Sequence, residues 1–167
     1  MDPIKKTFSD KEGNHLLVAL YFCDDEYKQE SLHIPEEFSK VEIIDIDITK
    51  AYIEKPIHYN VFFRMSRWLM KQFILNEDAI FTFICSTDEL NSNHKDLLPQ
   101  NYRWQLFDSL FKHQQKESVC NETINTTDII IGPIGYQTFG RAFYRTKHTP
   151  IVHIVSSYLE EKQRFYQ

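Results

Sequence analysis

The stretch from residue 41 to residue 85 constrains the fold most. Residues 41–49 read VEIIDIDIT, in which Ile44, Ile46 and Ile48 alternate with Asp45, Asp47 and Thr49. A period of two puts the isoleucines on one face of a strand and the polar residues on the other. From His58 to Leu75 the period changes. Tyr59, Phe62, Phe63, Ser66, Leu69, Met70 and Phe73 recur at steps of three and four, the buried stripe of an amphipathic helix. Residues 79–85, AIFTFIC, are a short apolar run of strand formers, as expected of a buried central strand. A strand, a long helix and a second strand in that order predict a parallel pair joined by a right-handed crossover.

The flanks extend the pattern. Residues 7–9 close a first strand, residues 10–14 (DKEGN) turn the chain, and residues 15–23 (HLLVALYFC) read as a second strand. Residues 24–30 read as an acidic loop and residues 31–35 as a brief extended piece ending at Pro35. Residues 86–96 form a polar loop long enough to carry binding groups. A second amphipathic helix is predicted over residues 101–115, with Tyr102, Leu106, Phe107, Leu110 and Phe111 on its apolar stripe. Residues 116–127 are polar, residues 128–131 read as a strand, and glycines 132 and 135 flank a break. Two more strands are predicted over residues 140–145 and 150–156, with a final turn or two of helix after them. The whole predicts a single α+β domain over residues 1–167, with a mixed, mostly antiparallel sheet and two main amphipathic helices.

Charge is unevenly spread. The 24 acidic residues outnumber 19 Lys and Arg, a net charge of −5, which argues against a dedicated nucleic-acid binder. Acid gathers in residues 24–37 and at Asp45 and Asp47, whereas Arg64, Arg67 and Lys71 share the side of the first helix away from its apolar stripe. That basic face suits phosphate or a nucleic-acid backbone, or simply faces water. The run YQTFGRAFYRTK interleaves Tyr136, Phe139 and Tyr144 with Arg141, Arg145 and Lys147. Aromatic residues and Arg together mark interaction surfaces, although one side of such a strand must pack on the core. The longest uncharged apolar run, residues 16–23, falls far short of the roughly 20 residues needed to span a bilayer. The first ten residues lack the apolar core of a signal peptide. A soluble cytoplasmic protein with no membrane partner is expected. Its three cysteines, Cys23, Cys85 and Cys120, are expected to be reduced, since they form no CxxC pair.

Few residues advertise chemistry. Cys85 closes a predicted strand just before Ser86 and Asp88, and thiolate chemistry there would need His94 or His113 as a base. A free Cys is more often a small buried hydrophobe, and that is the expectation here. The seven histidines, His15, His33, His58, His94, His113, His148 and His153, include no HxH or HxxxH pair, so no metal is expected. Asp45 and Asp47 could share a proton or hold Mg²⁺, but a solvated strand face explains them more simply. No P-loop, GxGxxG, HExxH or GxSxG is present. No catalytic residue is assigned.

From residue 41 onward the order strand, long helix, strand, helix, strand hairpin is similar to the second half of GNAT-type N-acyltransferases. That resemblance implies an acyl-CoA cofactor held by the loop before the first helix, with Tyr102 or Tyr144 protonating the leaving thiolate. The matching segment, residues 47–58, holds Lys50 and Lys55 but none of the glycines that such a loop uses. A further run, with Ile84, Cys85, Ser86, Asp88, Arg103, Leu106 and Phe107, resembles small bacterial families of unknown function and implies no activity. The expectation from sequence is a small bacterial-type, non-catalytic protein-interaction module, immunity- or antitoxin-like or regulatory, without a cofactor. The alternatives are a divergent acyl-CoA-dependent N-acyltransferase and, more weakly, a nucleic-acid binder.

Overall fold

A computed structural model describes residues 1–52, 57–85, 99–117, 123–133 and 137–165. Within them run six strands, β1 (Ile4–Ser9), β2 (His15–Phe22), β3 (Glu42–Tyr52), β4 (Ala79–Ile84), β5 (Ile124–Ile131) and β6 (Thr138–Arg145). Four helices accompany them, α1 (Asp25–Glu30), α2 (Tyr59–Leu75), α3 (Pro99–Glu117) and α4 (Val152–Phe165). The strands form one sheet in the order β1-β2-β3-β4-β6-β5. Every neighbouring pair is antiparallel except β3 with β4, whose crossover is α2. The fold is therefore α+β with a mixed, mostly antiparallel sheet.

The parallel pair is short. Pairing runs from Glu42 with Ala79 to Asp45 with Thr82 and stops there. Beyond that point β3 continues beside β2 as far as His15 opposite Tyr52, while β4 continues beside β6 to Ile84 opposite Gly140. The two strands part in the middle of the sheet, and the alternation of β3 decides what lines the gap on each side.

Both faces of the sheet are covered. On one, Phe8, Leu16 and Val18 pack against Val61 and Met65 of α2 and Leu110 of α3, and Ile44 and Phe81 pack against Met70 and Phe73. On the other, Ile43, Ile80 and Ala142 meet Val152 and Val155 of α4, and Ile129 and Ile131 meet Leu159. Completely covering a large apolar side chain contributes about 1.5–3 kcal/mol; Leu20, Ile43, Ile44, Met65 and Val155 are each 1% exposed or less.

Two expected elements take another form. Residues 24–30, read as a loop, contain α1. The Asp24 carboxylate accepts the backbone N–H groups of Glu26 and Tyr27, which satisfies donors that a helix start leaves open. Lys28, 3% exposed, pins this turn by donating to the Val41 carbonyl at 2.9 Å and pairing with Asp25 at 2.7 Å. Residues 150–156, read as a strand, instead continue a 3-10 turn (Thr146–Ile151) into α4. Ile151, Val152, Val155 and Leu159 are buried at helical spacing. Their β-branched composition suits a strand, but the stripe they form covers the sheet. β5 begins at Ile124, four residues before the expected start, because Asn125, Thr126 and Thr127 pair with Tyr144, Phe143 and Ala142 at the sheet edge.

Candidate functional site

The basic face of α2 is the candidate that remains exposed. Arg64, Arg67 and Lys71 all face solvent. The helix sequence YNVFFRMSRWLMKQFIL contains no acidic residue. Edge strand β1 lies beside it and carries exposed Lys5 and Lys6. The Arg64 guanidinium donates to the Ser9 carbonyl, tying α2 to the end of β1. Lys6 Nζ stands 5.4 Å from the Phe8 ring centroid and 5.8 Å from that of Trp68. The Phe8 and Trp68 rings meet edge to face at 6.0 Å. Arg67 and Lys71 form no ion pair with another described residue. Among the described residues β1 pairs only with β2, and an edge strand leaves alternate N–H and C=O groups unpaired. Lys6 and the backbone edge thus lie beside a helix that adds three further cations, while Lys5 points to the opposite face of the sheet.

The other expected surface turns inward. Tyr136 lies outside the described residues. Arg141 and Arg145 are 4% and 5% exposed, and Tyr144 is buried. Arg141 lies under α3, donating to Asp128 at 2.6 and 3.1 Å and to Asp108 at 2.8 Å, with its guanidinium 5.2 Å from the Trp104 ring centroid. Arg145 reaches the end of α2, donating to the Asn76 and Phe73 carbonyls at 2.9 Å each. Phe139 is half-buried, 5.9 Å from Trp104. Tyr144 faces the opposite side of the sheet, its hydroxyl 2.9 Å from Thr127 Oγ1. Lys147 alone is exposed, and it pairs with Asp78 at 3.0 Å. The arginines of β6 are internal anchors for α2 and α3, and the interleaved sequence does not form one exposed surface. Arg alternating with aromatic residues along a strand signals either role, and only the position of the helices separates them.

The candidate chemical groups are not brought together among the described residues. Cys85 is buried, and that burial pushes its thiol up to about 12. Its proposed neighbours Ser86, Asp88 and His94 lie outside the described residues. His113 instead packs edge to face on Phe63 at 4.9 Å. Asp45 is not solvated. It is 9% exposed and accepts from Tyr158 at 2.6 Å, from Lys162 at 2.7 Å and from Thr82. Burial, then Asp45, push the Tyr158 hydroxyl well above the ordinary tyrosine range. Asp47, two residues on, is exposed and accepts from Thr49 at 3.0 Å. The two carboxylates therefore do not act as a pair. Among the described residues no three His, Cys, Asp or Glu side chains cluster as a metal site. No helix among them is long and apolar enough to cross a membrane.

No family model, curated protein or solved structure matches the chain. What an acyl-CoA site would require can be compared directly with the start of α2. The Asp10 carboxylate accepts the His58 backbone N–H at 3.3 Å, and His58 Nδ1 accepts the Asn60 N–H at 3.2 Å. Asp10 also takes the N–H groups of Glu12 and Asn14 at 2.9 and 3.0 Å. A helix N-terminus attracts an anion, and here a carboxylate of the protein already lies against it. Tyr144 sits near Ile80, at the paired end of β4 and away from the point where β3 and β4 part. The Tyr102 side chain, Lys55 and the Lys50 side chain lie outside what the structure describes.

Proposed function

We propose that this chain is a non-catalytic protein-interaction module, of an immunity- or antitoxin-like or regulatory kind, that receives an acidic segment of a partner protein along β1 and the basic face of α2. The observation that carries this reading is the joining of two recognition elements on one side of the molecule: an open sheet edge with Lys6 on its α2 side, and a helix presenting Arg64, Arg67 and Lys71 without a single carboxylate. An open edge accepts an extended segment by strand addition, and charge selects which segment. Lysines on the edge also discourage pairing between copies of this chain.

Affinity capture from the native host tests it, using the full chain at about 50 and 300 mM salt, with and without nuclease. The expected result is a protein captured by the wild type, retained after nuclease, reduced at the higher salt and lost with Arg67→Glu/Lys71→Glu. A partner that survives the charge reversal, or none at all, contradicts the reading. Loss on nuclease treatment favours nucleic acid.

The parting of β3 and β4 after Asp45 and Thr82 favours a second reading, a divergent acyl-CoA-dependent N-acyltransferase, because it opens the sheet between the two strands, although the gap faces Met65–Phe73 of α2 and not its start. Asp10 at the α2 N-terminus opposes it. Thermal unfolding with millimolar acetyl-CoA and CoA decides: a ligand bound by the native state raises stability, and no rise eliminates this reading.

A further inference from the structure

We propose that the chain binds a small, neutral, mostly apolar molecule carrying one hydroxyl or carbonyl group, in a cavity between the sheet and helices α2 and α3. This goes beyond the partner-binding reading and does not depend on it. The cavity has a volume of about 80 Å³ and lies where β3 and β4 part, with Ile46 of β3 on one side and Phe83 of β4 on the other. Met65, Met70 and Leu110 close it from the helices.

Among the described residues its walls are apolar except at two places, Ser66 and Gln114. The Ser66 hydroxyl is engaged, donating to the Phe63 carbonyl at 3.0 Å. Gln114 is 5% exposed and lines the cavity, and its amide makes no hydrogen bond to another described residue. With no partner among the described residues, that amide has a donor and an acceptor free for whatever enters. Water is a poor occupant, since it needs two to four polar partners. A dry apolar cavity of about 150 Å³ accepts benzene. The space here is smaller, but the unbranched side chains of Met65 and Met70 can yield to a guest. A charged guest would lose its hydration without a counter-ion. The chemistry that fits is an apolar body with one hydrogen-bonding group directed at Gln114.

The chain contains three methionines; Met65 and Met70 line the cavity, and Met1 is 90% exposed. Methyl-labelled methionine NMR on the full chain, titrated with phenol and with its near-isostere toluene, therefore carries its own reference signal. Both probes are expected to shift Met65 and Met70 saturably and leave Met1 unmoved. In Gln114→Leu, phenol affinity is expected to fall about tenfold, the loss of one hydrogen bond, while toluene affinity holds or rises. No saturable shift at millimolar probe, or a shift of Met1 alongside the other two, overturns the site. Equal changes for phenol and toluene in Gln114→Leu overturn the assignment of its polar end.

Discussion

Asp45 and Asp47 show how little a residue's type says about its role. They share one side of β3, two positions apart, yet the first is buried and accepts three hydrogen bonds and the second faces water. Removing Asp45 leaves the Thr82 and Tyr158 hydroxyls and Lys162 without their acceptor. Asp45→Ala is expected to cost about 2–3 kcal/mol in urea unfolding, whereas Asp47→Ala should stay within about 0.5 kcal/mol. His148 makes a second case. It is 2% exposed, its Nδ1 has no hydrogen-bond partner among the described residues, and its Nε2 lies 3.9 Å from Asp78. Burial, helped by Lys147, holds the imidazole below its ordinary range, against the pull of Asp78. As pH falls below about 6.5 the unfolded chain takes up that proton while the folded chain resists it. Folding stability must therefore decline on acidification below that point. His148→Phe, measured by denaturant unfolding between pH 5 and 8, should have a flatter profile than the wild type. An unchanged slope would mean that His148 does not titrate as its surroundings require.

At the scale of elements, the crossover from β3 through α2 to β4 was legible because its two periods differ sharply, and the parallel pair follows from that order. Helix α4 was not, because Ile151, Val152, Ile154 and Val155 favour strands one by one and are helical only through the sheet they cover. The α1 turn depended on Lys28 finding the Val41 carbonyl, a contact between residues 13 apart that local pattern cannot show. The same limit governs the site. The basic face of α2 could be read from spacing alone, but the inward turn of Arg141 and Arg145 depends on where α2 and α3 come to rest. Arg145 ties β6 to α2, adding a charged donor to the Phe73 and Asn76 carbonyls, which also accept the Asn76 and Ala79 backbone N–H groups. It also lies 4.4 Å from the Phe73 ring centroid. Arg145→Met is expected to destabilise the fold by about 2–3 kcal/mol, with the earliest loss of amide protection at the end of α2. Uniform loss across the sheet would contradict a local capping role.

For the whole molecule, the sheet separates two charge fields. α1 and α4 lie on one face, with Asp24, Asp25, Glu26 and Glu30 exposed around α1, while Arg64, Arg67 and Lys71 face solvent on the other side. A net charge of −5 thus hides a face that attracts acid. Such fields act mainly on the rate of encounter and on partner choice. The association rate with a captured partner should therefore fall steeply with salt and fall again in Arg67→Glu/Lys71→Glu, with the dissociation rate changing less. Hydrogen exchange on the purified complex tests the docking side most directly. The account predicts new protection of amides in Ile4–Ser9 and of the adjoining basic face of Tyr59–Leu75; protection confined to Asp25–Glu30 or to Thr138–Arg145, with β1 exchanging as in the free chain, would contradict it.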